Sequence, residues 1–180
     1  MRRKIAKVAG QDRLIEPVKF AAHHPRLLRA IGQTDGGVEA ARSVPTKLKL
    51  LVSLKAAMLI GCPFCIDLNS AVSRGEGVSE QQLADLAAFE ESPAFSELEK
   101  RALRYTVALT RTPADVPEEL FNSLREHFNP QQMVELTTAI AWENFRARFN
   151  RGFGVEAEGF AEGAACPVHV GAGPGMGEGL

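Results

Sequence analysis

The sequence predicts an all-α fold, a single helical bundle of about six to seven helices, and three observations carry that prediction. Apolar residues recur at three- and four-residue spacing along most of the chain. Helix-starting residues stand where those stripes begin, at Pro25, Pro45, Pro63, Ser79, Ser96, Pro117 and Asn129. No run alternates apolar and polar residues strongly enough to read as a strand.

Each element follows from these signals. Pro25 opens a helix with Leu27, Leu28 and Ile31 on one side. Pro45 opens a second through Leu48, Leu51, Val52, Lys55, Met58 and Leu59, ending at Gly61. Pro63 restarts the helix with Phe64, Leu68, Ala71 and Val72, and Arg74-Gly75 closes it. Ser79 caps a short helix with Leu83, Leu86 and Ala87. Ser96, with Glu99 three residues on, reads as a capping box leading Leu98, Ala102, Tyr105 and Leu109 up to Thr112-Pro113. Pro117 begins a helix with Leu120, Phe121 and Leu124, and Asn129-Pro130 caps a long one through Met133, Leu136, Ile140, Phe145 and Phe149.

Composition bounds the function. The chain has 180 residues, 45% of them hydrophobic, enough for one domain with a core of its own. Residues 1–160 read as that domain, and 161–180 as a Gly-rich C-terminal tail. Nine of the 16 glycines lie between Gly152 and Gly179, so the last residues are expected to be disordered, while the two phenylalanines of 153–160 give that segment something to dock. A net charge of −1 gives no electrostatic case for nucleic acid or an anionic membrane. No apolar stretch reaches the ~20 residues that span a bilayer. A cytoplasmic protein is expected, and three cysteines do not make a structural disulfide framework there.

The chemistry centres on Cys62 and Cys65, in Gly61-Cys62-Pro63-Phe64-Cys65 where one helix stops and the next begins. Thiols two residues apart at a helix start can close a small disulfide and reopen it, because the helix N-terminus favours the thiolate. A thioredoxin-like motif would need a preceding strand, and a helix pattern stands there instead. Structural zinc, with Cys166 and His169 as further ligands, would draw on a second pair far along the chain in the glycine-rich tail. As plain core residues the cysteines need no such spacing. No cofactor and no metal is expected.

The run from Gly61 to Asn69, followed by Arg74, Gly77-Val78-Ser79 and Leu83, resembles the carboxymuconolactone decarboxylase family in its alkylhydroperoxidase D-like branch. His23-His24-Pro25 with Leu27-Leu28 resembles an opening segment of that family, and Glu143-Asn144 through Asn150 a closing one, so the similarity spans about residues 20 to 160. The resemblance implies an all-helical subunit assembled into a homo-oligomer, a trimer or hexamer. It implies a peroxidase in which Cys65 attacks a hydroperoxide and becomes a sulfenic acid, Cys62 resolves it as a disulfide, and an external dithiol or disulfide reductase restores the pair. A cofactor-free lactone decarboxylase, as the family name suggests, and a non-enzymatic redox-sensing assembly are the alternatives. Decarboxylation does not require paired cysteines. Helix position does not order the thiols, since Cys62 lies nearer the helix start.

Two departures from the branch stand out. It places a histidine four residues after the second cysteine, where this chain has Asn69, and a glutamate about three turns before the first, where Lys47-Leu48-Lys49-Leu50-Leu51 has none. An amide cannot titrate, so peroxidase activity would be weak or would rest on another acid–base group. Lys47 or Lys49 is a candidate for lowering a nearby thiol pKa by charge. Asp67, at i+2 from Cys65, is expected to point away as a solvated carboxylate. Glu143 lies in an apolar helix, either as a buried carboxylate with a raised pKa or as a structural partner for Arg146 or Arg148, the pair being preferred. His24 is expected at a helix entrance with His23 packed nearby, and His127 at a helix end where the dipole favours its charge.

Overall fold

The computed structural model describes residues 14–161 and contains, among them, eight α-helices, one 3₁₀ turn and no strand. They are α1 Glu16–Ala22, α2 Pro25–Ala40, α3 Thr46–Ile60, α4 Pro63–Arg74, α5 Glu80–Asp85, α6 Glu97–Thr110, α7 Glu118–Arg125 and α8 Pro130–Gly152, with the turn at Leu86–Ala88. Seven of the eight coincide with the stripes read from sequence. Helix α1 is the addition: at seven residues it is too short to show a periodic stripe, and only Ala21 in it is buried.

Ser79, Ser96 and Asn129 cap α5, α6 and α8 as the sequence indicates, and the Ser96–Glu99 capping box read from sequence is formed; Gln82 and Gln132 complete two further reciprocal boxes, with Ser79 and Asn129. His24 Nδ1 accepts the Leu27 N–H at the entrance to α2.

Helix α3 is buried along most of its length, without a break from Leu50 to Ala57, and is the axle of the fold. It packs against α8, α6 and α4. Its residues divide between two apolar clusters. Leu51, Leu54 and Ala57 join Phe64, Leu68 and Val72 of α4 and Leu83 and Leu86, while Leu48 and Val52 join Tyr105, Leu124, Leu136 and Ile140. Leu51 and Leu54 have no exposed surface, so each contributes about 1.5–3 kcal/mol of burial. Lys55, on the same helix, is buried too. Its Nζ donates to the carbonyls of Leu86 and Ala87 at 3.1 and 3.2 Å, tying the 3₁₀ turn to α3, and burial pushes its pKa down.

A polar clamp fixes the chain between α2 and α3. Glu135 of α8 accepts from Ser43 N, Ser43 Oγ, Val44 N and Lys49 Nζ. Burial pushes its pKa up, but the hydrogen bonds from Lys49 and Ser43 outweigh that and hold it below the ordinary carboxylate value. This corrects the expectation for the lysines. Lys49 pairs with Glu135 and Lys47 with Glu99.

The segment after α8 docks, as its phenylalanines suggested. Phe153 stacks on Phe20, Phe160 meets Phe64 edge-on, and Val155 is buried. The expectations for Cys166, His169 and the tail lie outside the described residues. No described helix is long and apolar enough to cross a membrane.

Candidate functional site

Gly61 ends α3 in the left-handed conformation at φ +72°, which glycine adopts without steric cost. The reversal makes Cys62 the N-cap of α4, its Sγ accepting the Cys65 N–H at 3.2 Å, with Pro63 in the first helical position where no N–H is needed. Cys65 falls one turn into the helix. The two cysteines are joined by a disulfide, with Cα atoms 5.3 Å apart.

The pair is not symmetric in its surroundings. Cys62 has no exposed surface, whereas Cys65 lines a cavity of about 70 Å³ enclosed by α1, α2, α4 and α8. Ile15 at the N-cap of α1, Val18 and Ala21 of α1, and Leu28 and Ile31 of α2 form one wall; Phe64, Leu68, Phe145 and Phe149 form much of the rest. Among these apolar walls stand Asp35, Asn69, Glu143, Arg146 and Asn150.

Helix α8 supplies most of that polar chemistry by simple periodicity. Glu143, Arg146 and Asn150 fall at i, i+3 and i+7 and so share a face. Trp142, Phe145, Phe149 and Phe153 form the adjoining stripe, each ring packed on the next at centroid distances of 4.8, 6.1 and 4.9 Å. Glu143 is 1% exposed. Its Oε1 accepts from Asn69 Nδ2 at 3.2 Å and its Oε2 pairs with Arg146, which also lies 3.6 Å from Asp35. Asp35 in turn accepts from Trp142 Nε1 at 2.6 Å. Burial pushes the Glu143 carboxyl above its ordinary value, with Arg146 and Asn69 opposing without cancelling the shift. Both sequence readings of Glu143 therefore hold at once: it is a buried carboxylate and the partner of Arg146. Arg148 turns elsewhere, to Asn144 and Thr110.

The structure thus brings Cys62, Cys65, Asn69 and Glu143 together and leaves Asp67 out. Asp67 is not the solvated carboxylate expected. It accepts from the backbone N–H groups of Glu158, Phe160 and Ala161 at 3.0, 3.0 and 2.7 Å, fastening the end of the described chain to α4. Asp67→Ala is accordingly expected to lower stability by about 2 kcal/mol and to speed proteolysis around residue 160, as denaturant titration and limited digestion would record. His127 lies just past the end of α7, as expected, and its Nε2 faces Arg101 Nη1 at 2.9 Å. Sequence reasoning placed Asn150 in the closing segment of the resemblance but gave it no role at the site. Its place seven residues after Glu143, on the face that carries Arg146, was the available signal.

Comparison with known proteins now has a geometry to attach to. The profile of the carboxymuconolactone decarboxylase family matches residues 25–108. The uncharacterized protein YnjA of Escherichia coli (strain K12) is 33% identical over 148 residues, covering 81% of each chain. The chain belongs to the carboxymuconolactone decarboxylase family. Within that family its fold is the AhpD-like one. Atu0492 of Agrobacterium tumefaciens, a protein of unknown function for which an AhpD-type antioxidant role has been suggested, superposes with a TM-score of 0.72. It is 29% identical and matches over 77% of this chain and 94% of its own. The debrominase Bmp8 shares the fold at a TM-score of 0.79 and 23% identity, over 88% of this chain and 84% of its own. Members of one fold therefore carry different chemistry, and the activity has to be argued from the site.

Proposed function

We propose that this family member is a thiol-disulfide oxidoreductase that reduces hydroperoxides, with Cys65 as the attacking thiol, Cys62 as the resolving one and Glu143 as the acid–base group. The observation that carries the reading is that Cys65, and not Cys62, opens on the cavity that also holds the buried carboxylate of Glu143. Access to the cavity supports this order of the two thiols, which helix position left open.

Glu143 takes the Cys65 proton, and the thiolate attacks the distal oxygen of R–O–O–H. An S–O bond forms, the O–O bond breaks, and Cys65 becomes a sulfenic acid while the departing alkoxide receives the proton back from Glu143. The Cys62 thiol then displaces hydroxide from sulfur, releasing water and forming the disulfide. An external dithiol supplies two electrons and two protons to reopen it. A carboxyl with a raised pKa suits both halves of this exchange, because it holds a proton near neutral pH more readily than an ordinary glutamate. Asn69 orients Glu143 where the branch places a histidine, so the acid–base group stands on α8, outside both positions where the branch carries one.

Steady-state consumption of tert-butyl hydroperoxide with a dithiol tests the reading. Turnover that requires Cys65 supports it; no consumption with any dithiol overturns it. The setting we propose is the cytoplasm, whose dithiol reductants match the cycle.

The working form is proposed to be a homo-oligomer. Helix α2 buries none of its 16 residues, and Leu27, Phe145 and Phe153 are 55%, 43% and 39% exposed along one groove between α1, α2 and α8. Light scattering is expected to return a multiple, three or six, of the 19.5 kDa subunit. A monodisperse monomer at micromolar concentration would remove the proposal.

A further inference from the structure

We propose that Asn150 is a further catalytic residue, a hydrogen-bond donor that holds the Cys65 sulfur as a thiolate. Its Nδ2 lies 3.3 Å from Cys65 Sγ and 3.8 Å from Cys62 Sγ, in a position 4% exposed. The residue sits on the last turn of α8, and its backbone carbonyl accepts from Phe153 N at 3.2 Å and Val155 N at 3.0 Å, which fixes the backbone that carries the amide.

The chemistry follows from what an amide can do. It donates but does not titrate, so it stabilises a negative sulfur over a neutral one and lowers the thiol pKa. A hydrogen bond to a charged acceptor is also stronger than one to a neutral disulfide or thiol sulfur. The helix N-terminus acts differently on the pair, since the Cys65 N–H is directed at Cys62 Sγ. Cys62 therefore has a backbone donor and Cys65 has Asn150, the nearer of the two sulfurs to that amide. In the proton transfer that starts the cycle, the Cys65 S–H bond breaks, the proton passes to Glu143, and the electron pair left on sulfur is the one Asn150 holds. The other charged groups facing the thiol are Asp35 from α2 and Glu143 and Arg146 from α8; the cavity walls from α1 bring none, and Asp67 on α4 is engaged with residues 158–161.

The inference rests on Cys65 being the attacking thiol, but its test uses no peroxide. In the Cys62→Ser background, fully reduced, the rate of iodoacetamide alkylation of Cys65 is followed against pH. The midpoint of the profile is read rather than the rate, so differences in access to the buried sulfur do not enter. Asn150→Leu and Asn150→Ala are both expected to raise the midpoint by about one unit, making alkylation about tenfold slower well below it. Glu143→Gln is run in parallel to identify the contribution of that carboxylate. Leu fills the site and Ala leaves it empty, so a purely structural role would separate the two variants, whereas loss of the donor shifts both alike. Near-UV circular dichroism certifies the fold, and Ala, which has no bulk to clash, decides where Leu does not fold. A midpoint unchanged in a folded variant overturns the proposal. Should the wild-type protein fail to reduce hydroperoxides, the peroxidase reading falls while the alkylation result stands or falls on its own.

Discussion

Cys65→Ser is expected to abolish hydroperoxide reduction, by at least about three orders of magnitude, while Cys62→Ser stops after one turnover. The two variants differ because only one sulfur meets the cavity. Without Cys65 there is no nucleophile beside Glu143; the hydroxyl of serine is far too weak an acid to replace it. Without Cys62 the first chemical step survives, and the sulfenic acid on Cys65 has no neighbour with which to condense. Trapping with a 1,3-dione and mass spectrometry checks this: the adduct is expected on Cys65 in Cys62→Ser and on neither residue in Cys65→Ser. A dione adduct on Cys62 in Cys65→Ser with continued turnover would reverse the assignment of roles. In the proposed cycle the disulfide is the oxidised end, and peptide mapping after mild oxidation is expected to find it between Cys62 and Cys65, with Cys166 free.

Glu143→Gln is expected to reduce kcat/KM for a hydroperoxide by about a hundredfold at neutral pH, the range removal of a general base ordinarily covers. Glutamine keeps the shape and can still meet Asn69 and Arg146, so the loss reports the proton and not the packing. The pH profile carries the sharper test. The acid limb belongs to the coupled thiol and carboxyl, and burial raises the carboxyl, so the limb should lie above the ordinary glutamate range. Asn69→Ala removes a donor to the charged form and should move that limb to still higher pH; Asn69→His adds a titratable ring at that position and should raise the rate near neutrality, provided Cys65 is present. Stability has a defined sign as well. The folded-state pKa of Glu143 is raised, so the unfolded chain ionises first as pH rises. Stability is therefore lost between the unfolded and folded values, and Glu143→Gln should lack that loss. Identical acid limbs in wild type and Glu143→Gln would remove the carboxyl from the mechanism.

How much of this was legible in the sequence differs between elements. Prolines at positions 25, 63 and 130 and the capping pairs Ser79–Gln82, Ser96–Glu99 and Asn129–Gln132 are local devices, satisfied within one helical turn, so their meaning does not wait for the rest of the fold. The Cys62–Cys65 pair is of the same kind, since a spacing of three residues at a helix start is enough to bring the thiols together. Helix α1 escaped because seven residues carry too little periodicity, and what holds Glu16–Ala22 in place is contact with the segment that follows α8, through Glu158 and Phe153.

What only the tertiary structure decided is the identity of the cysteines' neighbours. Lys47 and Lys49 are closer to Cys62 in sequence than Glu143 is, yet a helix directs each side chain by its angle around the axis, and theirs meet Glu99 and Glu135. Asp67 is two residues from Cys65 and is turned through about 200° to bind the returning chain. Glu143 and Asn150, more than seventy residues away, arrive at the sulfur because α8 packs along α3 and presents one face to the start of α4. Sequence determined the helices, their ends and the disulfide, which are governed by interactions within a turn. The surroundings of Cys65, its asymmetry with Cys62 and the raised carboxyl of Glu143 come from burial between helices, a property of the packed fold and not of any segment of it.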